Sequence, residues 1–123
     1  MKKNIGKSLA LYPTPLVVVG TMVNGKPNYV LVGHVGIIGH DRIMVSLAKP
    51  HYTNQRIKET RALTVNIVDE SMLKKADRTG CVSGNKVDKS DMFAFHTEGT
   101  GAPATTSWPS RSQPACWRPR ASC

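Results

Sequence analysis

The segment Ser46-Leu47-Ala48-Lys49-Pro50-His51-Tyr52-Thr53-Asn54 holds the densest set of groups suited to an anion. An apolar run ends there, Pro50 stops it, and Thr53 or Asn54 is placed to cap a short helix reaching about Thr60. First-turn N–H groups of a helix lack intrahelical acceptors and lie at the positive end of the helix dipole. With the Lys49 ammonium and the hydroxyls of Ser46 and Thr53, they are the donors that a phosphate monoester takes. His51 and Tyr52 offer flat faces beside them. The same residues also describe an ordinary capped helix with a solvated lysine.

Two further segments could hold a ligand. In Gly33-His34-Val35-Gly36-Ile37-Ile38-Gly39, glycines at spacing three would let a flat ligand lie close to backbone. The alternative is glycine at a barrel bend. The segment is not GxGxxG and opens no helix, so a dinucleotide fold is not supported. Val82-Ser83-Gly84-Asn85-Lys86-Val87-Asp88-Lys89 is a glycine-containing turn with two lysines, suited to an anion or simply a solvated loop. His34, His40, His51 and His96 have no metal-binding spacing, and neither a GxSxG elbow nor a sequence partner for Cys81 is present. No catalytic residue is singled out and no metal is expected.

The elements that must position these segments follow from patterning. Leu16-Val17-Val18-Val19-Gly20-Thr21-Met22 reads as a buried strand. Asn24-Gly25 predicts a type I′ turn, and a second strand returns from Pro27 through Val32. Gly33, Gly36 and Gly39 break that run, His40-Asp41 turns, and Arg42–Leu47 is a third strand. Ala62–Val68 alternates as a fourth. Asp69 is placed as an N-cap for a helix in which Met72, Leu73 and Ala76 share a face and which Gly80 ends. Val87–Phe95 is a short helix or loop packed by its aromatics. Hairpin-linked strands favour an antiparallel sheet or barrel.

Composition narrows the function. The net charge is +9 over 123 residues, but it is dispersed, with no block of five like charges. Tyr29 alone of the aromatics lies in a predicted strand, so nucleic acid is not an expected partner. No stretch approaches the roughly 18 apolar residues of a membrane span, and the N-terminus has no signal h-region, so no membrane association and a cytoplasmic location are expected. Residues 97–123 contain no Val, Ile, Leu, Met or Phe, yet hold both Trp, Cys116 and Cys123. A core is expected from residues 1–96, and 97–123 reads as a disordered tail whose vocabulary suggests translation out of frame.

Taken in order, several pieces carry a resemblance. They are Lys3-Asn4-Ile5-Gly6 with Tyr12-Pro13, Val19-Gly20-Thr21 before Asn24-Gly25-Lys26-Pro27-Asn28, and Gly36-Ile37-Ile38. Next come Val45 to Thr53 leading to Ile57-Lys58-Glu59, then Val65-Asn66-Ile67, and Val82-Ser83-Gly84 with Val87-Asp88-Lys89. Residues 1–96 resemble the N-terminal part of the flavin reductase-like proteins with an FMN-binding split barrel, nearest the flavoredoxin group. The resemblance implies a mainly β fold: an antiparallel, Greek-key-like split β-barrel with two short helices, here incomplete at its C-terminus and followed by the non-family segment 97–123. An incomplete barrel leaves a strand edge open. The resemblance further implies a homodimer with FMN near the subunit interface.

Val30, Leu31, Val32, Gly33, His34, Val35 and Gly36 would lie along the isoalloxazine ring, and Ser46, Lys49, His51, Tyr52 and Thr53 would hold the ribityl phosphate. Ser83, Gly84 and Lys89 would close over the flavin. Leu31 stands where many relatives carry a hydroxyl, so ring contacts there would be through backbone. The implied reaction is hydride transfer from NAD(P)H to flavin with electrons passed to an acceptor. A non-catalytic FMN-binding module, or an inactive truncated family member, is the alternative.

Overall fold

The computed structural model describes residues 1–8, 13–97, 103–105 and 115–117. Strands β1 (Val17–Val23) and β2 (Lys26–Val32) form the predicted hairpin. Asn24 and Gly25 take φ of 51° and 78°, the left-handed pair that a type I′ turn requires. The register runs from Val23 opposite Lys26 to Val17 opposite Val32. Strand β5 (Leu63–Ile67) pairs antiparallel with the other edge of β1, and β8 (Ala115–Trp117) pairs with β5, giving the order β2-β1-β5-β8. Strands β3 (Val35–Ile38) and β4 (Arg42–Val45) form a separate hairpin, and β6 (Phe95–Thr97) pairs with β7 (Pro103–Thr105). The fold is mainly β, antiparallel, with two nine-residue helices, α1 (Tyr52–Thr60) and α2 (Leu73–Cys81). Among the described residues the sheets do not close into a barrel.

The continuous valine run of β1 is explained by cover on both faces of the sheet, which removes the polar alternation of a half-exposed strand. On one face Val17, Val19, Val30, Val32, Leu63 and Val65 pack with Ile57 of α1 and with Val35, Ile43 and Val45 of the β3–β4 hairpin. On the other, Val18, Tyr29, Met72, Ala76 and Phe93 pack together, with Leu31 against them. Each fully buried aliphatic side chain in such a layer contributes about 1.5–3 kcal/mol.

Several expectations are corrected. The glycine-rich break after β2 is confined to Gly33-His34, because Val35–Ile38 forms β3 paired with β4. β4 ends at Val45, short of the expected Leu47. Neither Thr53 nor Asn54 caps α1: His51 is the N-cap and supplies no side-chain bond. Asp69 does cap, its Oδ1 accepting from Met72 N at 2.9 Å, but the first turn is a 3-10 turn over Glu70–Met72. Met72 and Ala76 are buried with Thr79, at i, i+4 and i+7, whereas Leu73 is 51 % exposed, one step off that stripe. Gly80 lies inside α2, and a Cβ there would sit 3.1 Å from Leu31 Cδ2, so its role is close approach of α2 to β2. Most of 97–123 lies outside the described residues; β7 and β8, strands of three residues each, fall within it.

β2 is an outer strand. In antiparallel pairs hydrogen-bonded and non-bonded residues alternate, so a two-residue turn closing on Val23 and Lys26 aims the backbone groups of Pro27, Tyr29 and Leu31 away from β1. Pro27 has no N–H to offer there, and the Tyr29 carbonyl accepts from Lys89 Nζ at 3.0 Å. Leu31 is left to present its N–H and C=O at the edge.

Candidate functional site

The chain reaches α1 through a turn in which His51 N donates to the Ala48 carbonyl at 3.1 Å and Asn54 Nδ2 donates to the same oxygen at 3.3 Å. The His51 carbonyl accepts from Asn54 N at 3.0 Å, which starts the helix. The N–H groups of Tyr52 and Thr53 therefore stand at the open positive end. Ser46, Lys49 and His51, in the segment leading to this end, are all exposed. Ser46 N donates to the His34 carbonyl at 2.9 Å, so the Gly33–Gly36 segment is fastened directly to the strand end that leads into the turn.

Thr53 and Tyr52 also meet neighbouring elements. Thr53 is 4 % exposed, and its Oγ1 accepts from Asn28 Nδ2 on β2 at 2.8 Å. The Tyr52 ring carries the Arg56 guanidinium at 4.9 Å from its centroid, so one of its flat faces is taken. The ring's edge meets Gly84: a Cβ there would fall 2.8 Å from Tyr52 Cδ1 and 2.5 Å from Asn28 Oδ1. Only glycine fits that approach without a shift of its neighbours.

The second lysine-bearing turn folds against β2. The Ser83 carbonyl accepts from Lys86 N and Val87 N, each at 3.0 Å. Asp88 accepts from Ser90 N at 2.9 Å and from Lys26 Nζ at 2.9 Å, and Ser90 first, then Lys26, hold its carboxyl below the usual carboxylate range. Lys89 is 3 % exposed and bonds both the Tyr29 and the Thr79 carbonyls at 3.0 Å; burial pushes its ammonium down from the ordinary value. An open cleft of about 440 Å³ lies between this turn, the tip of the β1–β2 hairpin and Tyr52, with Lys26, Asn28, Asn85 and Lys86 on its walls.

The fifteen sequence-predicted residues thus divide. Ser46, Lys49 and His51 are exposed in the segment that leads into α1, where Ser46 N is bonded to the His34 carbonyl next to Gly33. Tyr52, Gly84 and Lys89 line the cleft, with Ser83 at its entry turn. Val30 and Val32 turn their side chains into the core on the α1 side, Leu31 packs toward α2, and Val35 and Gly36 pair with Val45 and Met44. Asn28 was not among the expected site residues, nor were Lys26 and Arg56. A signal for Asn28 was present: a polar residue inside a strand that is otherwise apolar. Among the described residues no three His, Cys, Asp or Glu cluster, and no helix is long and apolar enough to cross a membrane.

Comparison with known proteins identifies the family. The chain belongs to the flavin reductase like domain family, whose model matches residues 9–111, past the boundary expected at 96. It is 34 % identical to the flavoredoxin from Methanosarcina acetivorans, with a TM-score of 0.78, over 86 % of this chain and 59 % of that one. It is 34 % identical to the flavoredoxin of Desulfovibrio vulgaris (Miyazaki F), with a TM-score of 0.78, over 89 % of this chain and 63 % of that one. An FMN-binding protein from Thermus thermophilus shares the fold at 19 % identity and a TM-score of 0.73, over 86 % of this chain and 60 % of that one. The chain spans about three-fifths of the length of the flavoredoxins it matches. No curated protein matches it.

Proposed function

We propose that the chain binds FMN, with the phosphate at the N-terminus of α1, and acts as a flavoredoxin-like flavin reductase. The observation that carries this reading is the open end of α1, entered through a segment that exposes Ser46, Lys49 and His51, in a chain of this family. The donor set fits a phosphate monoester: main-chain N–H groups, one exposed ammonium, an imidazole and a hydroxyl. The flavin ring would run from there along the Gly33–Gly36 segment toward the free edge of β2, where the Leu31 backbone offers a donor and an acceptor and its side chain offers neither. When bound, FMN supplies the redox chemistry, taking a hydride from NADH or NADPH and passing electrons to an acceptor. The protein's part is to neutralise the phosphate, orient the ring and keep one face approachable. A homodimer is part of the proposal, supported by Ile37, 83 % exposed, with Ile38 and Met44 on the β3–β4 hairpin, apolar surface of the kind that a partner covers.

Purified chain should retain or take up FMN, seen as released flavin after heating, and should oxidise NADH or NADPH when FMN is added. A folded chain that takes up no flavin would refute the reading. Flavin uptake with no oxidation of either nucleotide would instead make it an FMN-binding module.

A further inference from the structure

The two ends of one side-chain amide join the two anion-suited segments. Asn28 is 6 % exposed. Its Nδ2 donates to Thr53 Oγ1 in the first turn of α1 at 2.8 Å. Its Oδ1 lies against Gly84, 2.5 Å from where a Cβ would be. The direction of the Thr53 bond has a chemical consequence. A hydroxyl that accepts keeps its own proton to give. Among the described residues that proton has no acceptor, though Thr53 is almost wholly buried at the helix end.

We infer that Asn28 is a positioning residue for the phosphate: it holds Thr53 as a donor to an anion at the α1 N-terminus and seats the Gly84 turn beside it. The inference rests on the phosphate reading above. Asparagine fits because it presents a donor to Thr53 while its Oδ1 lies, uncharged, against Gly84. A carboxylate of the same shape could only accept, so it would take the Thr53 proton and add a negative charge near the anion.

The test compares FMN with riboflavin, which lacks the phosphate, by flavin-fluorescence titration of the full chain. Asn28→Asp should weaken FMN binding by tenfold or more while riboflavin affinity stays unchanged, since a hydrogen bond to a charged group is worth about a tenfold to hundredfold change in dissociation constant. Thr53→Val should show the same selective loss, Thr53→Ser should restore FMN affinity, and adding Asn28→Asp to Thr53→Val should cost little more. If Asn28→Asp does not fold by circular dichroism, the Thr53 pair carries the test. Equal loss of FMN and riboflavin, or no loss of FMN, in these variants overturns the role of Asn28. Wild-type protein that binds FMN and riboflavin equally overturns the phosphate reading itself, and the inference with it.

Discussion

The buried ammonium of Lys89 donates at 3.0 Å to the backbone carbonyl of Tyr29, an outward-facing acceptor on the edge strand β2. A second bond at 3.0 Å to Thr79 ties the same group to α2. One side chain thereby fixes the 83–89 turn to both layers that flank it. Lys89→Met would keep the aliphatic stem and orphan both carbonyls. The expected loss is about 2–3 kcal/mol, the worth of bonds to a charged donor, measured by urea unfolding near neutral pH. Because burial lowers the folded pKa below 10.5, the unfolded chain binds more protons as pH approaches 10.5 from below. The Lys89 contribution to stability should therefore rise with pH in that window, and Lys89→Met should remove the rise.

Tyr29 behaves in the opposite sense. Its ring packs edge-on to Phe93 at 5.0 Å, and its hydroxyl is buried without a partner among the described residues. Burial raises its pKa above the ordinary 10.0. The folded chain then holds the proton that the unfolded chain releases, so stability falls as pH rises past about 10. Tyr29→Phe should flatten this alkaline decline and stabilise by about 1 kcal/mol at neutral pH by removing an unsatisfied polar group. Thermal melts from neutral to strongly alkaline pH would show both effects, and an unchanged alkaline slope would contradict the assignment.

Asp88 governs the acid side of the same turn. Its carboxyl, held low by Ser90 and then Lys26, contributes order above 3.8 that is lost as pH falls toward its folded value. Amide exchange at Ser90, whose N–H bonds Asp88, should quicken over that descent. Asp88→Asn should show the faster exchange already at neutral pH.

Lys49 is exposed at the α1 N-terminus, so its removal should leave stability unchanged within about 0.5 kcal/mol, as for surface substitutions generally. Lys49→Ala should nevertheless weaken FMN binding tenfold to a hundredfold, the scale of one charge-assisted bond. Calorimetric titration measures it, and unaltered affinity would place the phosphate elsewhere.

Much of this architecture was legible because local chemistry and global fold agree. Asn24-Gly25 demanded left-handed backbone and has it, and Val17-Val18-Val19 read as part of a buried strand and is. The α1 N-terminus could be located because Pro50 sits in the turn just before the helix begins, although β4 had already ended at Val45. The rest depended on tertiary packing. β3 was hidden because Gly36 interrupts a strand whose pairing comes from β4. Thr53 has the chemistry of a cap, yet a partner from β2, twenty-five residues away, claims its hydroxyl. Lys89 looked like a surface cation because nothing local shows that two carbonyls, one of them sixty residues off, converge on it.

The Asn24–Gly25 turn fixes more than the direction of return. With Val23 facing Lys26, Asn28, Val30 and Val32 fall on the α1 side, while Tyr29 and Leu31 fall on the α2 side. One residue inserted or deleted at the turn would exchange these sets, sending the Asn28 amide under Met72 and Ala76 and the Tyr29 ring toward Thr53. The hairpin tip is thus restricted in residue type by its left-handed backbone and in length by this register, and a family member of different turn length would have to build the link between its helix and its lysine-bearing turn from another strand position.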